Sequence, residues 1–239
     1  MGLKILFTED TAQNIMDKDA QLLESLKEAS DPILHIYRWK NPSITYGHFI
    51  KIEKMLNLSE VESLGIDIAK RPTGGGVIFH LYDYAFSFLL PASSQFFSIN
   101  PLDNYNFVHN IVMKALGSLV KDQDLKFLPV NPKDETAASN FCMAKPTIFD
   151  LMVGEQKIVG AAQRKKAQGY LHQGSIALKK PDQEILKKIL VDSQNVAVKM
   201  ENYSFYFLDE RATTKESLDF QEKIKNLLVD AFASTFCRD

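Results

Sequence analysis

Arg71-Pro72-Thr73-Gly74-Gly75-Gly76-Val77-Ile78-Phe79-His80 is the stretch whose reading decides the fold. A cation comes first, then a glycine run, then an apolar run that ends on a histidine. Consecutive glycines permit positive φ and let a ligand approach the backbone closely. Free amides in such a turn make an anion-binding concavity. Arg71, with Lys70 before it, adds charged donors beside the turn. The same residues also fit a tight turn between two strands with charge on the surface. No Gly-Lys-Ser/Thr follows, so this is not a Walker loop. The run after the glycines reads as a strand, which excludes a dinucleotide fingerprint opening a helix. Thr73, Gly74, Gly75, Gly76 and Val77 are therefore candidate binding residues. His80 joins them, although a histidine at a strand end also fits a structural role.

The second informative stretch is Gln156-Lys157-Ile158-Val159-Gly160-Ala161-Ala162-Gln163-Arg164. A single lysine enters a strand of small apolar residues. Gly160, Ala161 and Ala162 leave room for an extended ligand against the backbone, and Lys157 at its mouth is placed to meet a carboxylate, phosphate or carbonyl. A lysine guarding a strand edge is the plain alternative. The basic turn at 163–166 fits solvated surface, or a face that meets an acidic carrier protein.

Cys142 precedes Lys157 by one turn and one strand. If the strands at 147–153 and 156–162 pair as a hairpin, Cys142 falls near the open end of the sheet that carries Lys157. A neighbouring ammonium favours the thiolate, and a thiolate can hold an acyl group and pass it to an amine. A buried cysteine acting as a small hydrophobe is the alternative. The histidines at 35, 48, 109 and 172 show no metal-ligand spacing, so no metal site is expected.

The chain has 239 residues and a formal net charge of -2. That length allows a continuous buried core, and that charge carries no nucleic-acid footprint. Two cysteines are too few for a disulfide scaffold and fit a reducing compartment. No apolar run reaches the roughly 20 residues of a membrane span, so a cytoplasmic protein with no membrane partner is expected. Helical spacing predicts helices over 12–29, 55–64, 105–120, 181–190 and 217–236. Alternation and β-branching predict strands over 5–7, 33–39, 43–46, 66–70, 147–153, 156–162 and 171–178, with a hairpin of 76–79 and 84–90. The expected class is α+β, a mixed sheet with flanking helices on one side, forming one catalytic domain over 1–239 with no C-terminal accessory domain.

These motifs, in this order, resemble the lipoate–protein ligase A and octanoyltransferase superfamily. Asn14 to Asp19 is similar to its first-helix segment, Tyr37 to Gly47 to its early strand pair, and Arg71 to His80 to its acyl-site motif. Lys157 falls on the family's lysine, and Leu171 to Ile176 is similar to the strand that follows. The resemblance implies an α+β domain related to biotin protein ligase. It implies attachment of a lipoyl or octanoyl group to a lysine of lipoyl-domain proteins, such as 2-oxoacid dehydrogenase E2 subunits and the glycine cleavage H protein. One branch, taken as the first expectation, activates lipoate with ATP and Mg2+ to an acyl-adenylate. The alternative takes octanoyl from acyl carrier protein through a Cys142 thioester, with no cofactor beyond the thioester donor. A non-catalytic acyl- or carrier-binding protein is the third possibility. His48-Phe49-Ile50 departs from the family pattern of glycine and glutamine, and Gly76 stands where the cysteine branch often has arginine.

Overall fold

The computed structural model describes residues 2–120, 125–128, 141, 146–148 and 150–236, with the side chains of 193–195 left out. Cys142 and Cys237 lie outside the described residues.

Among the described residues, ten strands form two sheets. The large sheet has the order β1 (Lys4–Asp10), β2 (Ile33–Trp39), β6 (Asp83–Pro91), β10 (Gly169–Ala177), β9 (Gln156–Lys166), β8 (Leu151–Val153) and β7 (Leu125–Phe127). Only β1 and β2 run parallel in it, because the helix α1 (Ala12–Ser25) carries the chain back between them. The small sheet has the order β4 (Asp67–Lys70), β3 (Ser43–Tyr46) and β5 (Val77–His80). The remaining helices are α2 (Leu58–Ser63), α3 (Pro101–Leu116), α4 (Gln183–Ile189), α5 (Ser193–Tyr203) and α6 (Thr214–Phe236). The α+β class and the mixed sheet match the expectation from sequence.

Three expectations need correction. The stretches 76–79 and 84–90 do not form a hairpin: β5 pairs with β3 in the small sheet, while β6 pairs with β2 and β10 in the large one. Leu81 and Tyr82 join them, and neither is the glycine, asparagine or aspartate that the positive φ of a two-residue hairpin turn favours. The chain therefore turns a corner from one sheet to the other. Second, helices cover both faces of the large sheet. Residues Leu34, Ile36, Phe86 and Phe88 face α3 and α6 in the main core, whereas Ile33, Tyr37, Leu89 and Leu171 face α1. Third, α3 begins four residues before its apolar periodicity does. Asn100 caps it by accepting from Leu102 N at 3.1 Å, and Pro101 supplies a first helical residue that needs no N–H.

Helix α6 buries Ile224, Leu228, Phe232 and Phe236 along one stripe, at the spacing of successive turns. Phe232 sits 4.8 Å from the Phe88 ring and 6.2 Å from Phe86, both fully buried. Among the described residues, no helix is long and apolar enough to cross a membrane. Phe232→Ala removes the centre of the α6 stripe and is expected to cost about 3–5 kcal/mol, read as a fall in the urea midpoint with no change of slope.

Candidate functional site

The glycine turn hangs between β4 and β5 and is fixed from below. Arg71 is buried, and its guanidinium donates to the carbonyls of Gly74 at 3.1 Å and Gly76 at 2.7 Å and to the Thr45 hydroxyl at 2.9 Å. Its described hydrogen bonds thus hold the turn in shape. Gly75 has φ +84°, a conformation that side chains rarely adopt. Gly47 is needed for close approach, since a Cβ there would stand 2.7 Å from the Gly74 carbonyl carbon. The amides of Gly47 and His48 donate to the Gly76 and Thr73 carbonyls, both at 3.2 Å.

Two buried hydrogen-bond chains end on this turn. In the first, Thr45 accepts from Arg71, so its own proton goes to His80 Nε2 at 2.7 Å. His80 Nδ1–H then donates to Asp83 Oδ2 at 2.7 Å, which also accepts from the Ser175 hydroxyl at 2.5 Å. In the second, Thr73 donates to Gln173 Oε1 at 2.7 Å, and Gln173 Nε2 donates to Asp19 Oδ2 at 2.7 Å. Asp19, fully buried, also accepts from Ser87 at 2.5 Å and from His35 Nδ1 at 2.7 Å. Tyr37 donates to Ser87 at 3.3 Å. Burial and then the Asp19 charge push the Tyr37 hydroxyl well above the ordinary phenol range, so it stays protonated.

Lys157 is 3 % exposed, and its ammonium meets Asp150 Oδ2 at 2.7 Å. Asp150 is aimed by Thr147, whose amide and hydroxyl donate to the same oxygen at 2.6 and 2.9 Å. Gly160 makes room for the lysine: a Cβ there would lie 2.6 Å from Lys157 Nζ. Gly160 pairs with Ser175 and Ala162 with Gln173 in the β9–β10 register. The two hydrogen-bond chains and the lysine strand therefore share one face of the sheet. Tyr105 on α3 holds the Ala161 carbonyl at 3.1 Å, and Arg164 donates to the Pro72 carbonyl at 2.9 Å.

Thr73, Gly160 and Ala162, Lys157 and His80, read from stretches far apart in sequence, thus lie on one connected surface. Val77 and Phe79 are buried on β5. They pack beneath the small sheet with Ile44 and Leu186. Phe141 bridges Val77 and stacks on Phe79 at 5.8 Å, so the residue just before Cys142 is anchored to the strand that leaves the glycine turn. A cavity of about 460 Å3 lies at the end of β2, with Trp39, His80, Tyr84 and Leu218 in its wall. That volume falls within the range of small-molecule pockets. Sequence reasoning missed Asp19, Gln173, Asp83 and Asp150. An acid seven residues before a lysine, across a predicted turn, was a usable signal only for the last. Among the described residues no cluster of three metal-ligating side chains occurs.

The model of the lipoyl protein ligase A/B catalytic domain matches residues 11–214. The chain belongs to that family. It is 26% identical over 168 residues to octanoyltransferase LipM of Carboxydothermus hydrogenoformans, covering 70% of this chain but only 61% of that protein. It is 25% identical over 241 residues to octanoyltransferase LipM of an Exiguobacterium species, covering 97% of this chain and 87% of that one. In fold it is similar to the bipartite lipoate protein ligase of Thermoplasma acidophilum, with TM-score 0.73 and 22% identity over all of this chain and 85% of the other.

Two outcomes follow from the site. Asp150→Ala leaves the Lys157 ammonium buried without its carboxylate, and is expected to destabilise the fold by about 3–5 kcal/mol in urea unfolding. His172, on β10, is fully buried against His109, and burial, reinforced by His109, holds it well below the ordinary imidazole range. A depressed folded value means that the unfolded chain binds the extra proton, so this contribution is complete above about pH 6.5 and is lost as pH falls below it, by up to about 1.4 kcal/mol per pH unit. His172→Gln is expected to flatten that acid limb in a series of urea midpoints.

Proposed function

We propose that this chain transfers an octanoyl group from a carrier-protein thioester to the target lysine of a lipoyl domain, without ATP. The observation that carries the reading is the match, over 97% of the chain, to a protein named octanoyltransferase. A physical argument supports it. Three cations on or beside the glycine turn already bond to protein, Arg71 to the turn carbonyls, Arg164 to Pro72 and Lys157 to Asp150, and Lys70 is exposed at the end of β4. A triphosphate needs surplus positive charge, whereas a neutral thioester carbonyl needs only one well-placed ammonium.

In this reading the Cys142 thiolate attacks the thioester carbonyl, and the carrier thiol leaves. The lysine amine of the lipoyl domain then attacks the Cys142 acyl group, loses a proton and expels the thiolate. Lys157, held by Asp150 over Gly160, faces the oxyanion that forms in each step. At ~4 Å and an effective dielectric of ~20 that attraction is about 4 kcal/mol before desolvation. The glycine turn receives the acyl end of the donor, while Thr73 holds the turn to Gln173. The acyl chain lies along Gly160 and Ala162. Lipoyl-domain proteins are the acceptors and an acyl carrier protein the donor.

The test is intact-mass spectrometry of enzyme and unmodified lipoyl domain in two mixtures. One holds octanoyl carrier-protein thioester without ATP, the other lipoate, ATP and Mg2+. An octanoyl gain in the first, with a hydroxylamine-sensitive adduct on Cys142, is expected. Cys142→Ala should lose the adduct and the transfer, and Lys157→Ala should lower transfer by about 100-fold or more. A lipoyl gain confined to the second mixture would replace this reading by the ATP-dependent ligase. Acyl binding with no transfer in either would make the chain a binding protein.

A further inference from the structure

We infer that Gln173 is a positioning residue, oriented by Asp19, that fixes Thr73 and with it the glycine turn for acyl transfer. The inference rests on the octanoyl-transfer reading, but its geometry stands apart from it. An amide can turn either end toward a neighbour. Here one end is set by geometry: Asp19, fully buried, accepts from Ser87 and faces His35, and its Oδ2 takes the Gln173 N–H at 2.7 Å. The amide oxygen must then face Thr73, whose hydroxyl has its proton committed to it at 2.7 Å. Toward a ligand, Thr73 Oγ1 is left only as an acceptor. The bond spans 100 positions of sequence and is the described side-chain link from the turn to the strand that faces Gly160 and Ala162.

Asp19 is itself held by His35 and Ser87, and these lie in one row across the sheet with Gln173: His35 pairs with Ser87, and Ser87 with Gln173. The titratable and charged groups around Gln173 are Asp19 from α1, His35 and Tyr37 from β2, Asp83 from β6 and Arg71 from the turn. In this setting Gln173→Glu is a pH-dependent isostere. Protonated, the glutamic acid donates to Asp19 and accepts from Thr73, as the amide does. Ionised, it sets two carboxylates side by side. Such a pair keeps a proton to unusually high pH, and above that point repulsion breaks the link.

The experiment compares Gln173→Glu with wild type from about pH 6 to about pH 9, reading kcat and KM for the octanoyl thioester. In parallel, hydrogen exchange of peptides covering 71–79 is corrected for intrinsic rates at each pH. The expected result is a kcat ratio to wild type that falls about tenfold or more as pH rises, with KM changing little, and protection of the turn lost over the same range. Thr73→Val in the same background should remove the pH dependence, because the link is already cut. A ratio and a protection level that stay flat across pH would overturn the inference. If Gln173→Glu does not fold by circular dichroism, the pair Thr73→Val and Thr73→Ser decides. Lower kcat and turn protection in the first, with recovery in the second, supports the inference; equal behaviour overturns it. If wild type transfers nothing from any donor, the octanoyl-transfer reading fails, while the exchange arm still tests the link.

Discussion

A carboxyl group shut away from water needs its oxygens matched by hydrogen-bond partners, and Asp19 imposes that condition on four elements at once. Its partners come from β2, β6 and β10. His35, Ser87 and Gln173 reach it from one side because they occupy one row of the pleat, paired strand to strand. A slip of one residue in either pairing would send a partner to the opposite face, where Phe86 and Phe88 meet α6. The buried acid therefore specifies register as well as the seat of α1. It does so on the face that also carries the lysine strand, and the glycine turn is tied to that same row.

Lys157 and Asp150 work under the same restriction with less help. A buried ion pair adds little net stability over an apolar pair of equal size, so its value lies in geometry. Thr147 gives Asp150 two donors, which fixes the oxygen that meets the ammonium. Gly160 removes the side chain that would occupy the lysine's place. A lysine stem normally samples many rotamers. Here the acid, the threonine and the missing Cβ reduce them to one, before any substrate arrives.

What could be read from the chain in advance was what lies in local pattern. The glycine run, the lysine entering a small-residue strand, and the apolar stripe of α6 all show as composition within a few residues. The two-sheet division did not. The stretches 76–79 and 84–90 look like hairpin partners, and only the missing turn chemistry at Leu81 and Tyr82 argues otherwise. The site's acids were invisible for a different reason. Asp19 falls in a segment read only as a helix, and Gln173 in one read only as a strand. Their meaning comes from contacts across 68 and 154 residues of sequence, Ser87 and Gln173 each reaching Asp19, which periodicity cannot report. His35 was passed over because histidine was weighed as a metal ligand. Its actual position, donating to a buried acid, is the commoner use of the ring.

Charge balance then bears on which chemistry the scaffold can host. Three acids on the ligand face each have a partner that can carry positive charge or donate: Asp150 with Lys157, Asp19 with His35, and Asp83 with His80. Arg71 supports the turn, and its described bonds run to carbonyls and a hydroxyl. A face built this way presents local dipoles, a guanidinium engaged with the turn and an ammonium anchored on an acid. Such a surface stabilises charge that appears only during the reaction, on an acyl oxygen, more than charge already present on the ground-state substrate. That preference suits passage of an acyl group between thioester and amine. It also makes orientation matter here: the turn is held by Arg71 from below and by Gln173 through Thr73, so its placement relative to the anchored ammonium is fixed by side-chain bonds.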